Sequence, residues 1–332
     1  MVPSAWGGQF KPWKLSKMRT PNESWPISKT FFLFLFLINA QVCSGANPII
    51  SGDYTADPSA RIWEDGRVWI YGSQDKGDGK YCSGEYHVYS SDDLVTWTDH
   101  GEIFNIKEVV GKVPGVTNKT RLYAPDAIYR NGIFYLYYST SNPGMHVGVA
   151  SSKSPTGPFV FQNRLTDSID PAVFIDDDGQ AYLYWAQFNM KAVKLKDNMI
   201  ETEGEIHTDV VTEKEHYFHE GAWMHKRNGV YYLSYTALMD NKASQIAYAV
   251  SNSPLGPFTW KNKIIDNRQF EGAWNNHGSI LEYKDQWFVF YHVPTDGSTK
   301  KRRTAIERIV YKRDGSIPEV KPTKKGVSTE RN

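Results

Sequence analysis

Three acidic residues in this chain each stand nine positions ahead of a turn glycine. Asp57 opens DPSARIWEDG ahead of Gly66, Asp170 opens DPAVFIDDDG ahead of Gly179, and Glu220 opens EGAWMHKRNG ahead of Gly229. Two carboxyl groups facing one another can break a glycosidic bond. One protonates the leaving oxygen while the other, ionised, activates water or attacks carbon. A third acid close by raises the pKa of the proton donor, because like charges in a poorly solvated pocket resist joint ionisation. A single Asp-Pro dipeptide reads as a turn into a strand; three acids sharing one phase read as a site.

Each acid-bearing phrase leads into an aromatic, alternating strand: RVWIYGS, QAYLYWAQ and VYYLSYTA. Two further units fit the frame more loosely, YAPDAIYRNGIFYLYYST around Gly132 and HGSILEYKDQWFVFYHV around Asp285. Five related hairpins with a period of about 45–65 residues predict an all-β, five-bladed β-propeller. Its innermost strands line one central axis, so residues at equal phase converge there. The apolar pattern is period two almost throughout, with DG and NG turns between strands and few helical signals. SSDDLVTWTDHG closes the first unit, and the phrases SSKSPTGPF and SNSPLGPFTW are expected on outer strands in a structural role.

The chain has 332 residues, 40% of them hydrophobic and 14% aromatic, enough for one large all-β domain. Eleven Trp and twenty Tyr suit both blade packing and the apolar faces of sugar rings. A net charge of +1, with Lys300–Arg303 the one short basic run, excludes an electrostatic footprint for nucleic acid. Lys29 precedes an apolar run from Phe31 to about Ala40 and then small residues, the layout of a secretory signal peptide. That run is too short for stable membrane insertion by a spanning helix; an uncleaved signal anchor is the alternative. Residues 1–45 are thus read as an N-terminal extension and signal peptide, with Met18 the more ordinary start. Residues 46–327 are the catalytic propeller, 328–332 a polar tail, and the product is secreted, periplasmic or on the cell surface. Cleavage after Cys43 leaves Cys82 alone, without a disulfide, and two cysteines this far apart make no metal site.

In order, TADPSARIWEDG, YAPDAIYRNGIFYLYYS, IDPAVFIDDDGQAYLYW, EGAWMHKRNGVYYLSY and NNHGSILEYKDQWFVFYH resemble glycoside hydrolase family 43. The resemblance covers nearly everything from Asn47 to about Val327. It implies a five-bladed propeller that hydrolyses arabinose- and xylose-containing polysaccharides with inversion. By the family pattern Asp57 is the general base, Asp170 the pKa modulator that keeps Glu220 protonated, and Glu220 the general acid. His277 in NNHGS matches an axial histidine that faces a calcium ion, held mostly by water, or a water cluster. No cofactor is required for the reaction, so that calcium would be structural. Arg303 matches a late-blade arginine that reaches the sugar or a catalytic carboxylate, and Tyr123 and Trp223 are the aromatic substrate-binding candidates. Tyr123 stands where the family commonly has Trp. Asp126 is out of phase with the other acids and is read as supporting the pocket. A second EGAW, at Glu271, leads no turn at nine residues, which favours Glu220 as the acid.

The leading expectation is an exo-acting α-L-arabinofuranosidase or β-xylosidase acting on plant cell-wall oligo- or polysaccharides. An endo-arabinanase would need a cleft instead of a pocket. A non-catalytic carbohydrate-binding propeller, or a protein-binding scaffold, would not need three axial carboxylates.

Overall fold

The structure, a computed structural model, describes residues 46–240, 243–270 and 275–327. The readings that rest on the signal segment, Met18, Cys43, Glu271 and the tail 328–332 lie outside the described residues. Among the described residues, period-two patterning and left-handed turn residues produce nineteen strands in five antiparallel sheets, each ordered as the chain runs. The first holds β1 (Tyr54–Ile62), β2 (Val68–Asp75), β3 (Glu85–Ser91) and β4 (Thr98–Asn105). The second holds β5 (Leu122–Arg130), β6 (Ile133–Thr140), β7 (Val147–Ser152) and β8 (Val160–Thr166). The third holds β9 (Ala172–Ile175), β10 (Ala181–Trp185), β11 (Lys191–Leu195) and β12 (Thr202–His207). The fourth holds β13 (Phe218–Arg227), β14 (Val230–Ala237), β15 (Gln245–Ser251) and β16 (Thr259–Asp266). The fifth has three strands, β17 (Ser279–Tyr283), β18 (Gln286–Thr295) and β19 (Ser298–Ile309). Among the described residues no helix is long and apolar enough to cross a membrane.

The first strands of the sheets pack in a closed cycle: β1 on β5, β5 on β9, β9 on β13, β13 on β17, and β17 on β1. The protein is therefore a five-bladed β-propeller. Five hydrophobic clusters fill the five gaps between neighbouring blades, which is where each sheet buries the face that a lone hairpin would expose. The ring is sealed beside β19. There Ile49 N–H donates to Thr304 O at 2.9 Å, while Asn47 exchanges hydrogen bonds with the backbone of Ile306 in both directions. The Ser-Pro phrases are the turns between third and fourth strands. Their carbonyls accept hydrogen bonds from the preceding blade, Tyr71 Oη to Pro155 O and Tyr184 Oη to Pro254 O.

A buried polar hub joins the innermost strands. Asp126 of β5 accepts from Ser59 Oγ (2.6 Å), from the Arg61 guanidinium (Nη2 to Oδ2 2.7 Å) and from Val173 N–H (2.7 Å). Arg61 of β1 also donates to Val173 O and lies 4.0 Å over the ring of Trp223 on β13. Trp223 Nε1 in turn donates to Ile280 O on β17. All five blades meet in this one network. Removing one partner of a buried ion pair typically costs about 3–5 kcal/mol, because the other charge is left uncompensated. Asp126→Asn should therefore lower the urea midpoint by the equivalent of about 3 kcal/mol, measured by tryptophan fluorescence. A midpoint within error of the wild type would show that the hub does not hold the blades together.

Candidate active site

A local irregularity in the inner strands aims the acids. Between Ala56 and Ser59 the pairing of β1 with β2 slips by one residue, and Asp57-Pro58 bulges out of the ladder. Asp57 has φ 53°, in the left-handed region, and Asp170, also ahead of a proline, has φ 56°. Asp is one of the few non-glycine residues that enter this region readily. β5 carries the same slip between Tyr123 and Asp126, and β13 carries it between Glu220 and Trp223. In β13 the left-handed position belongs to Gly221 (φ 65°), so Glu220 sits one residue earlier in the frame than Asp57 and Asp170. Its nine-residue spacing to Gly229 matches theirs because the β13–β14 hairpin has a shorter turn than the first blade's. Gly221 has a second reason to be glycine: a Cβ there would lie 2.9 Å from the His277 ring.

The three acids line one cavity of about 240 Å³, together with Tyr123, His277 and Gln187. All three are buried. Asp57 Oδ2 accepts from Ser73 Oγ at 2.6 Å, and Arg302 Nη1 donates to its two oxygens at 3.1 and 3.3 Å. His292 Nδ1 lies 3.2 Å from both Asp57 Oδ1 and the Asp57 amide nitrogen. Burial opposes ionisation of Asp57, but the Arg302 charge and the His292 contact outweigh it and hold the carboxyl far below the usual range. Glu220 Oε2 accepts from Gln187 Nε2 at 2.6 Å, and its backbone segment pairs with β14. Asp170 N–H donates to Ser139 Oγ, which itself donates to Tyr123 O, so the second and third blades are tied at the cavity wall.

Asp170 has the opposite environment to Asp57. Burial, then the charges of Glu220 and Asp57, push its carboxyl well above the ordinary value. The sequence reading placed the retained proton on Glu220. The upward push falls on Asp170, whose carboxyl forms no ion pair among the described residues and is opposed by the more distant Arg302 charge. His277 is held neutral: burial lowers its pKa more than the Asp57 and Glu220 charges raise it.

Two of the expected substrate contacts fall elsewhere. Arg303 donates to Thr295 Oγ1 and Asp296 and lies across the Tyr54 ring, away from the acids. Adjacent residues of a strand face opposite ways, and it is Arg302 that points to the axis. Its Nε and Nη2 bind Asp75 at 2.9 Å each, leaving Nη1 for Asp57. Trp223 is buried in the gap between the fourth and fifth blades and forms part of the polar hub, so it presents no face to a sugar. Tyr123 does line the cavity, whereas Asp126 belongs to the hub. The sequence reading missed Arg302, Asp75, His292 and Gln187, each supplied by a different strand or loop from the acid it serves. Calcium takes six to eight oxygen ligands, and His277 offers an imidazole. The one group of three candidate ligands among the described residues, Asp53, His87 and Asp99, lies on the first blade and excludes His277. His277 lines the cavity with Asp57, Asp170 and Glu220.

Residues 45–317 match the family model described as Glycosyl hydrolases family 43. The chain belongs to this family. It is 32% identical to xylosidase/arabinosidase 43A of Humicola insolens, over 83% of this chain and 99% of that one. To a β-xylosidase of Xylanibacter ruminicola it is 31% identical, over 83% and 99%. The crystal structure of the GH43_1 enzyme from Xanthomonas citri complexed with xylotriose is similar at TM-score 0.75 and 30% identity, covering 86% of this chain and 97% of that one. An α-L-arabinofuranosidase from Clostridium thermocellum is similar at TM-score 0.66 and 38% identity, covering 84% and 98%. The protein is a glycoside hydrolase of the xylosidase/arabinofuranosidase type.

Two outcomes follow from this geometry. Arg302→Met should cut kcat/KM at least about 100-fold, the scale of a lost acid–base function, while Arg303→Met should stay within about threefold, as expected of a residue outside the reacting groups. Steady-state assays of the two variants check the assignment, and equal losses would contradict it. The second outcome concerns pH. At acid pH Asp170 is protonated in the folded and unfolded chains alike and contributes nothing to the balance between them. Above the unfolded carboxyl range, near about 4, the unfolded chain ionises first, so the folded state is progressively disfavoured as pH rises. Asp170→Asn removes that penalty. Its urea midpoint should equal the wild type's near about pH 4 and exceed it at neutral pH. A gap that does not change with pH would contradict the raised carboxyl.

Proposed function

We propose that the protein is an exo-acting, inverting hydrolase that removes terminal xylosyl or arabinofuranosyl units from plant cell-wall oligo- and polysaccharides. The observation that carries this reading is the convergence of Asp57, Asp170 and Glu220 on one small cavity. At about 240 Å³ it is near or below the lower end of ligand pockets, about 300–1,000 Å³. That size favours a single terminal sugar over an open cleft for internal cleavage. The reported complexes of relatives with xylotriose support a xylose-containing substrate. The apolar run after Lys29 supports export from the cytoplasm.

In this reading Asp57 is the general base. Arg302 keeps it ionised, and it takes a proton from the water that attacks the anomeric carbon. Glu220 gives its proton to the glycosidic oxygen as the bond breaks, and Gln187 fixes the direction of its carboxyl. Burial and the charges of Glu220 and Asp57 hold the Asp170 carboxyl above its ordinary value, which fits Asp170 as the modulator beside the acid. His277, neutral, is an axial hydrogen-bonding group in the same wall.

The test uses p-nitrophenyl arabinofuranoside and xylopyranoside alongside the corresponding alkyl glycosides. Glu220→Gln should lose about 10²–10⁴-fold on alkyl glycosides and much less on the activated aryl ones, whose leaving group needs little protonation. Asp57→Asn should lose activity on both alike. A Glu220→Gln variant with equal losses on both leaving groups would remove it from the acid role. A wild-type protein inactive on every pentoside would overturn the substrate class.

A further inference from the structure

Glu220 must touch the glycosidic oxygen, so the sugar that leaves has to lie just beyond it, outside the closed end of the cavity. Phe188 directly follows Gln187, which lines that cavity beside Glu220. It is 49% exposed, one of few large apolar side chains in the described structure left open to solvent. Its N–H donates to His219 O at 2.7 Å, its carbonyl accepts from Glu213 N–H at 2.8 Å, and its ring packs edge-on against His219. His219 directly precedes Glu220, and its Nε2 lies 3.9 Å from Glu220 Oε2. On the other side of Phe188, Gln187 is the residue that donates to Glu220. Phe188 is thus fixed to the segment that leads into the acid, and its neighbour Gln187 to the acid itself.

The backbone holds this arrangement against its own preference. Ala186 has φ 101° and Phe188 φ 64°, and a left-handed conformation is a genuine outlier for a bulky aromatic residue. Such strain persists where the surrounding contacts over-determine it, often at ligand clamps.

We infer that Phe188 is the platform for the leaving-group sugar, stacking on the apolar face of the next pentosyl unit of the chain being cleaved. This rests on the hydrolase reading above and extends it by naming the group that recognises an oligosaccharide over a simple glycoside. A ring at this position contributes binding only when a second sugar is present, so its loss separates substrates by length.

The experiment compares xylotriose with methyl β-D-xylopyranoside, and arabinotriose with methyl α-L-arabinofuranoside, for wild type, Phe188→Ala and Phe188→Trp. Phe188→Ala should lower kcat/KM on the trisaccharide about tenfold, the scale of one aromatic contact, chiefly through KM. On the methyl glycoside it should stay within about twofold, and Phe188→Trp should restore the trisaccharide value. Equal losses on both substrates would mean that Phe188 only props Gln187 and Glu220, and no loss on either would mean that the sugar passes elsewhere; both overturn the platform. A wild type that cleaves neither class fails at the substrate reading, a result distinct from either of these.

Discussion

The ion pair between Arg61 and Asp126 is the constraint on which the rest of this propeller depends. Blades in such a fold touch only their neighbours, so nothing in the sheets themselves sets the distance across the axis. Here Asp126 reaches the first and third blades, Arg61 passes the link to Trp223 of the fourth, and Trp223 hands it to the fifth. The bulges in β1 and β13 lie at Asp57 and Glu220, and these two acids line the cavity together with Asp170, which stands just ahead of β9. An Asp126 read from sequence as supporting the pocket supports it in this sense: it holds the strands that carry the pocket.

In the cavity, two aspartates of the same local conformation are driven apart by their neighbours. Asp57 has Arg302, Ser73 and His292 against it and stays ionised. Asp170 has burial and two like charges against it, which push its carboxyl well above the ordinary value. Opposite environments push the pKa values of neighbouring titratable groups apart within one site. Arg302 makes the separation strong at some loss of basicity, since a carboxylate so stabilised is a poorer proton acceptor. Asp75 shares that guanidinium through Nε and Nη2, which limits how much of the charge Asp57 feels.

Blade number, the order of hairpins and the three acids were legible because they lie in local phrases that repeat. What was not legible came from pairings between distant segments. Arg302 and Arg303 are neighbours in sequence, and only the register of β19 decides which one turns inward. Trp223 looked like a sugar platform because of its motif, yet its strand faces it into the gap between two blades. The frame of Glu220 agreed with that of the aspartates in residue count and differs from it by one position in structure, because bulge and turn length vary together. Gln187 and His292 carry no motif; each is defined by a hydrogen bond to an acid in another blade or loop.

The central claim is that Asp57 activates water and does not attack the sugar. Proton NMR of the first turnovers of a methyl β-xyloside, recorded before mutarotation, reads this directly. Water delivered by Asp57 gives α-xylopyranose first, with the β-anomer growing in later; for an α-arabinofuranoside the first product is the β-anomer. A first product that keeps the substrate's anomeric configuration would mean a covalent sugar–enzyme intermediate, and would contradict the account.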